Sequence, residues 1–129
     1  MPITYAISKN GGILVKCKDH ISGSEIKEID ESIYGSPEDI LKIKYQLWDF
    51  TNVNNITISI EDIKAIAEQD AEAANINPNM TIILVANNDL IYSLGRLWMD
   101  YSKESPFKSM FFPNIKDAEE WIDEMIGKP

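Results

Sequence analysis

Thr81-Ile82-Ile83-Leu84-Val85-Ala86 is an uncharged run of aliphatic and β-branched side chains, with its only hydroxyl at the first position. A run this short and this apolar reads as a strand covered on both faces, as in a parallel sheet coated by helices. The flanking segments support that reading. On its N-terminal side, Asn77-Pro78-Asn79 breaks the chain after a segment with Ile60, Ile63, Ile66, Ala67, Ala71 and Ala74 at helical spacing. Ser59-Ile60-Glu61-Asp62 has the spacing of an N-terminal cap for that helix. Before it lie a polar stretch, Thr51–Asn55, expected as a turn, and a second apolar run, Lys44 to Phe50, expected as another covered strand. On the C-terminal side, Asn87-Asn88-Asp89 opens a helix with Ile91, Leu94, Trp98 and Tyr101 on one stripe. Lys108 to Phe112 follows as a short strand. Asn114 to Asp117 then caps a last helix whose inward stripe is expected to be Ile115, Ala118, Ile122 and Met125.

The first thirty-odd residues complete the pattern. Ile3, Tyr5 and Ile7 alternate with smaller or polar neighbours, as do Ile13, Val15 and Cys17. Between the two runs, Asn10-Gly11-Gly12 suits a hairpin turn, because these residues tolerate positive φ. Ser22 to Glu25 has capping-box spacing and leads into Ile26, Ile29 and Ile33, a helix expected to stop near Tyr34-Gly35, before Pro37. The order is ββαβαβαβα. It predicts an α/β fold with a mixed, mostly parallel five-stranded sheet, an N-terminal β-hairpin and four helices, built as one domain over residues 1–129.

Composition narrows the function by exclusion. The chain has 129 residues, 12 Lys+Arg against 21 Asp+Glu, and a net charge of −9. Such a surface is poorly suited to nucleic acid or to an anionic membrane, both of which need clustered cations. The acidic excess leans toward the C-terminal half, and Ile115 to Gly127 alone carries one Lys against five carboxylates. A single cysteine leaves no internal disulfide to argue for secretion. The stretch MPITYAISKN does not resemble a signal peptide, no run approaches the ~20 apolar residues that span a bilayer, and a cytoplasmic location is expected.

Most candidate chemistry has an ordinary structural explanation. Cys17 shares strand parity with Ile13 and Val15, so it belongs in the core, while His20 falls in the expected turn beyond; together they supply too few ligands for zinc. No G-x-G-x-x-G occurs, and Ser22-Gly23-Ser24 lacks a following lysine, so neither motif offers a nucleotide cofactor a phosphate cradle. Asp49, at the end of an apolar strand, occupies the place where open α/β sheets bind ligands. Capping of the next turn explains it at least as well. Thr51, Asn52, Thr57 and Ser59, with Asn87, Asn88 and Asp89, form a polar edge whose hydroxyls could accept a phosphate beside a helix N-terminus. Tyr92, Trp98, Met99 and Tyr101 crowd one helix on more than one stripe. That crowding fits core packing or a surface for self-association or an apolar ligand.

The hairpin, the strand ending in Leu47-Trp48-Asp49-Phe50, the capped helix and the buried run at residues 81–86 resemble a STAS-type domain, the fold of the anti-sigma-factor antagonists. The chain is also similar to bacterial stand-alone STAS-like proteins grouped with the CRAL-TRIO lipid-binding domains. There too, a late aromatic strand precedes a helix with a tryptophan, here Phe111-Phe112 and Trp121. The resemblance implies a non-enzymatic regulatory module that binds a protein partner through the edge from Asp49 to Ser59 and Asn87 to Asp89, with a homodimer through the aromatic helix as an option. In these antagonists a serine after an aspartate is phosphorylated. The matching stretch, Asn54 to Ser59, lacks the Asp-Ser-Ser/Thr-Gly pattern, with Thr57 and Ser59 nearest its place. The lipid-binding branch implies the alternative of a small apolar-ligand carrier, and an enzyme using Asp49 stands third.

Overall fold

The computed structural model describes residues 2–126. Its sheet has five strands in the order β1-β2-β3-β4-β5: Ile3–Ile7, Gly12–Ser22, Tyr45–Thr57, Thr81–Val85 and Lys108–Phe112. β1 and β2 form the antiparallel hairpin, and every later pairing is parallel. Five helices accompany them: α1 (Gly23–Ile33), α2 (Pro37–Leu41), α3 (Ile60–Ile76), α4 (Asp89–Ser102) and α5 (Ile115–Ile126). Because the parallel strands follow one another across the sheet, every crossover steps the same way. Right-handed crossovers therefore put α1, α3 and α4 on one face. The α5 helix follows the last strand and packs on β4 and β5 from the other face.

The two faces hold two cores. On the α1/α3/α4 side, Val15, Cys17, Ile21, Trp48, Phe50, Ile63, Ile82 and Trp98 are buried together. On the α5 side, Tyr45, Leu47, Ile83 and Val85 meet Ala118 and Ile122. Every residue of β4 is buried, as its uninterrupted apolar sequence requires. Capping follows the local sequence. Ser22 with Glu25 and Ser59 with Asp62 form complete capping boxes. Asn88 Oδ1 accepts from the amides of Leu90 and Ile91, and Asn114 Oδ1 from that of Asp117.

Several expectations are corrected. The fold class holds, with a fifth helix: Pro37 does not merely end the preceding segment but opens α2 behind its N-cap Ser36, where its missing N–H costs nothing. The polar stretch Thr51–Asn55 is strand, not turn. It continues β3 eight residues past Asp49, the last β3 position paired to β4, and runs alongside an equally extended β2 from Lys18↔Asn52 to Ser22↔Thr57. His20 accordingly lies in β2, where Nε2 and Thr57 Oγ1 are 2.7 Å apart. This two-stranded ribbon has no β4 alongside, so polar side chains suit it, while Val53 and Ile21 carry its buried side. Two register shifts, between Lys16 and Lys18 and between Asp19 and His20, each give β3 one residue more than β2 and bend the ribbon, and Asp19 between them takes φ 60°.

The inward stripe of α5 is narrower than expected. Ala118 and Ile122 are buried but Ile115 and Met125 are exposed, because this helix covers two strands from one side only. Gly127, the expected end of that helix, lies outside the described residues. Tyr101 is likewise exposed, and Ser102 takes the buried place in the last turn of α4.

The hairpin is closed by a loop in which Gly11 adopts φ 88°. Gly12, the next residue, starts β2 against the ring of Tyr45, whose hydroxyl donates to Asn10 Oδ1 at 2.8 Å. A Cβ at residue 12 would stand 2.1 Å from Cζ of that ring. Gly12→Ala is expected to destabilise the fold by about 1–3 kcal/mol through overpacking, read as a lower urea midpoint with unchanged m-value.

Candidate functional site

Below the α1/α3/α4 layer the sheet does not close completely. A cavity of about 80 Å³ remains, walled by Trp48 and Phe50 from the sheet, Ile56 and Ile58 from the ribbon end, Ile63 and Ile66 from α3, and Leu94 and Trp98 from α4. The bent ribbon thus helps to enclose the space. Its lining is apolar apart from two side chains, the carboxyl groups of Asp30 and Asp70.

Both carboxyls are almost wholly buried, Asp30 at 1% exposure and Asp70 at 3%. Asp70 is well supplied with donors: the Tyr34 hydroxyl reaches Oδ1 at 2.8 Å and Trp98 Nε1 reaches Oδ2 at 2.9 Å. The network continues through Gln46, whose Nε2 donates to the Tyr34 hydroxyl at 2.6 Å and whose Oε1 accepts from Trp48 Nε1 at 2.9 Å. In contrast, Oδ2 of Asp30 meets no N–H or O–H donor.

Two carboxylates in one dry site cannot both ionise cheaply. Burial, followed by the facing charge of Asp70 and a hydrogen bond with it, pushes Asp30 well above the usual carboxylate range. Burial also raises Asp70, to about 6, against the lowering effect of hydrogen bonds from Asp30, Tyr34 and Trp98. Asp30 therefore carries the proton and donates to Asp70, and near neutral pH the pair titrates as a unit holding one proton and one negative charge. Burial first, then the two carboxyls, raise the Tyr34 phenol and keep it a donor.

These two aspartates are the candidate site residues that a search for motifs misses. Their signal is periodicity: Asp30 falls between Ile26 and Ile33 on the α1 stripe, and Asp70 falls on the stripe of Ile63, Ile66, Ala67 and Ala74. A carboxylate on the apolar face of a helix is the anomaly to look for.

The polar edge lies elsewhere. Asp49 is half-buried on the α5 side of the sheet, and its Oδ1 accepts from the amide of Thr51 at 3.0 Å and from the Thr51 hydroxyl. Thr51, Asn52, Thr57, Ser59, Asn87, Asn88 and Asp89 are all exposed. Asp49, Thr51 and Asn52 sit near the carboxyl end of β4, where Asn87–Asp89 begin. Thr57 lies eight residues on, about 26 Å of extended chain away, so the edge is not a single point. Ser59 caps α3, accepting from Asp62 N at 3.0 Å. The Asp62 carboxylate, held below its usual range first by the Lys27 ammonium, is ion-paired to Lys27 at 2.9 Å.

The aromatic helix divides in two. Trp98 is buried in the cavity wall and Met99 is half-buried, whereas Tyr92 and Tyr101 are exposed. Tyr92 packs on Phe111 with ring centroids 4.6 Å apart, and Lys64 Nζ stands 5.5 Å above the Tyr101 ring. Cys17 is buried, and burial, with the charges of Asp49 and Glu25, pushes its thiol up to about 12; the thiolate needed for nucleophilic chemistry does not form near neutral pH.

Among solved structures, the unphosphorylated form of the anti-sigma factor antagonist SpoIIAA superposes on 95% of this chain and 99% of its own, with a TM-score of 0.64. The chain has the SpoIIAA fold. Sequence identity in that pair is only 7%. The phosphorylated form of SpoIIAA, described as a Bacillus cell fate determinant, matches with a TM-score of 0.63 at 8% identity, over 93% of this chain and 98% of that one. No family model matches the chain, and no curated protein matches it by sequence. The resemblance to STAS-type domains therefore holds for the architecture, carried by an almost unrelated sequence. Among the described residues, no helix is long and apolar enough to cross a membrane.

Two outcomes follow from the acid pair. Its folded-state pKa values lie above the unfolded value of about 3.9, so the native state binds more protons than the unfolded chain. The stability contributed by the pair is fully present below about pH 4 and is lost as pH rises through 6. Asp30→Asn, which keeps a donor toward Asp70 without the proton, is expected to flatten this fall in urea titrations between pH 5 and 8. Trp98→Phe removes a donor to a buried carboxylate and is expected to cost about 1–3 kcal/mol, measured by the same unfolding assay.

Proposed function

We propose that this chain is a non-enzymatic regulatory module that engages a protein partner through the polar edge formed by Thr51, Asn52, Thr57, Ser59 and Asn87–Asp89. The SpoIIAA fold over nearly the full chain carries this reading, since the matched protein is an anti-sigma factor antagonist. The placement of two hydroxyls supports it further. Thr57 ends the ribbon in the open, and Ser59 caps α3. A phosphate on either would sit beside the helix N-terminus and change the charge shown to a partner. That SpoIIAA is described in phosphorylated and unphosphorylated forms is consistent with a switch of this kind, although the residues here depart from the antagonists' serine motif. Against an enzyme stand the engagement of Asp49 by Thr51 and the high pKa of the Cys17 thiol. A cytoplasmic setting suits a partner-switching module, and the exposed Tyr92 and Tyr101 offer a route to a homodimer.

A second reading is favoured by one observation, the apolar cavity beneath α4: the chain carries a small apolar molecule.

The partner reading is tested by affinity capture from the native cytoplasm, with the wild-type chain beside a Thr57→Glu/Ser59→Glu variant. A stoichiometric partner held by one form and released by the other is the expected result. Identical recovery, or no specific partner for either form, counts against the edge.

A further inference from the structure

The cavity holds two buried carboxyls, and its walls answer them with hydrogen bonds but with no cation. Asp70 lines an apolar space, and among the described residues no Lys, Arg or His lines it. Among the described residues the ion pair found is Lys27–Asp62, away from the cavity. Beside Asp70 stands the Asp30 carboxyl, whose Oδ2 is buried and meets no N–H or O–H donor. A buried carboxylate that faces no cation, beside an oxygen with no N–H or O–H donor, is costly to the fold unless something with the opposite character occupies the cleft.

We propose that this cavity is a binding site for a small primary amine, whose ammonium is received by the Asp30–Asp70 pair and whose hydrocarbon body lies between Trp48, Phe50, Leu94 and Trp98. An ammonium supplies one positive charge and three N–H donors. It would neutralise Asp70 and fill the acceptor on Asp30 without asking either carboxyl to change protonation. The four hydrocarbon walls suit an unbranched or planar body. A cavity of about 80 Å³ gives room for roughly four or five non-hydrogen atoms. The same pair rejects a carboxylate by charge, and an alcohol cannot neutralise Asp70. The proposal rests on the carrier reading above and adds to it the polar head.

Tryptophan indole signals make the test direct. Trp48 and Trp98 line the cavity, whereas Trp121 packs on Phe112 across the sheet and serves as an internal control. The full chain, labelled with ¹⁵N, is titrated with n-butylamine (as its ammonium ion), n-butanol and butyrate at matched ionic strength. The expected result is saturable movement of the Trp48 and Trp98 indole signals with Trp121 unmoved, n-butylamine binding at least tenfold tighter than n-butanol, and no response to butyrate. In Asp70→Asn the amine should fall to the affinity of the alcohol, with retained n-butanol binding reporting an intact cavity. Equal affinity of amine and alcohol in the wild-type chain would overturn the amine head and leave the carrier reading standing. Silence of both indoles toward all three probes would overturn the two together. The wild-type comparison decides the matter even if Asp70→Asn does not fold.

Discussion

The pairing of β2 with β3, from Gly12↔Tyr45 to Ser22↔Thr57, is the contact on which the other features depend. It is the longest ladder in the sheet, and it outruns β4 by the whole length of the ribbon. Its first half fixes the centre of the sheet and hence the faces on which the helices settle. Its second half, bent by the two register shifts, delivers Ile56 and Ile58 to the cavity wall and Ser59 to the start of α3. If β3 stopped at Phe50, as its change in polarity suggests, the cavity would lose one side and α3 its starting point.

The same strand shows what could be read from the sequence and what could not. Runs such as residues 81–86, and caps such as Ser22, Ser59, Asn88 and Asn114, depend on neighbours within a few residues, so element type and order were legible. The ribbon was not, because hydrophilicity in Thr51–Asn55 fits a turn and a solvated two-stranded ladder equally well. Only the partner strand, thirty-odd residues earlier, distinguishes them. The residues of the proposed edge could be named from the sequence, but their spread along the ribbon depends on that unforeseen strand. The acid pair lay in plain sight as polar interruptions of two apolar stripes. What periodicity could not supply was that α1 and α3 bring the two interruptions together.

Fold and site thus point in different directions, which is common where one architecture serves many chemistries. The proposed partner surface lies on an exposed edge. The interior argues for a small molecule. The two are compatible in one module, because the ribbon contributes to both: its outer side chains form part of the edge, and its inner isoleucines close the cavity.

The strictly consecutive strand order bears on how the chain assembles. Each strand pairs with its immediate predecessor, so no strand waits for a distant segment to be made before it can dock. Growth from the N-terminus can proceed strand by strand, and α5 closes the second face last. On that schedule Asp30 is already buried-facing on α1 while Asp70 is still unsynthesised. Two like charges therefore meet only when α3 lays itself down on the finished β2–β3 ladder. The encounter precedes α4, whose Trp98 then brings a further donor to Asp70.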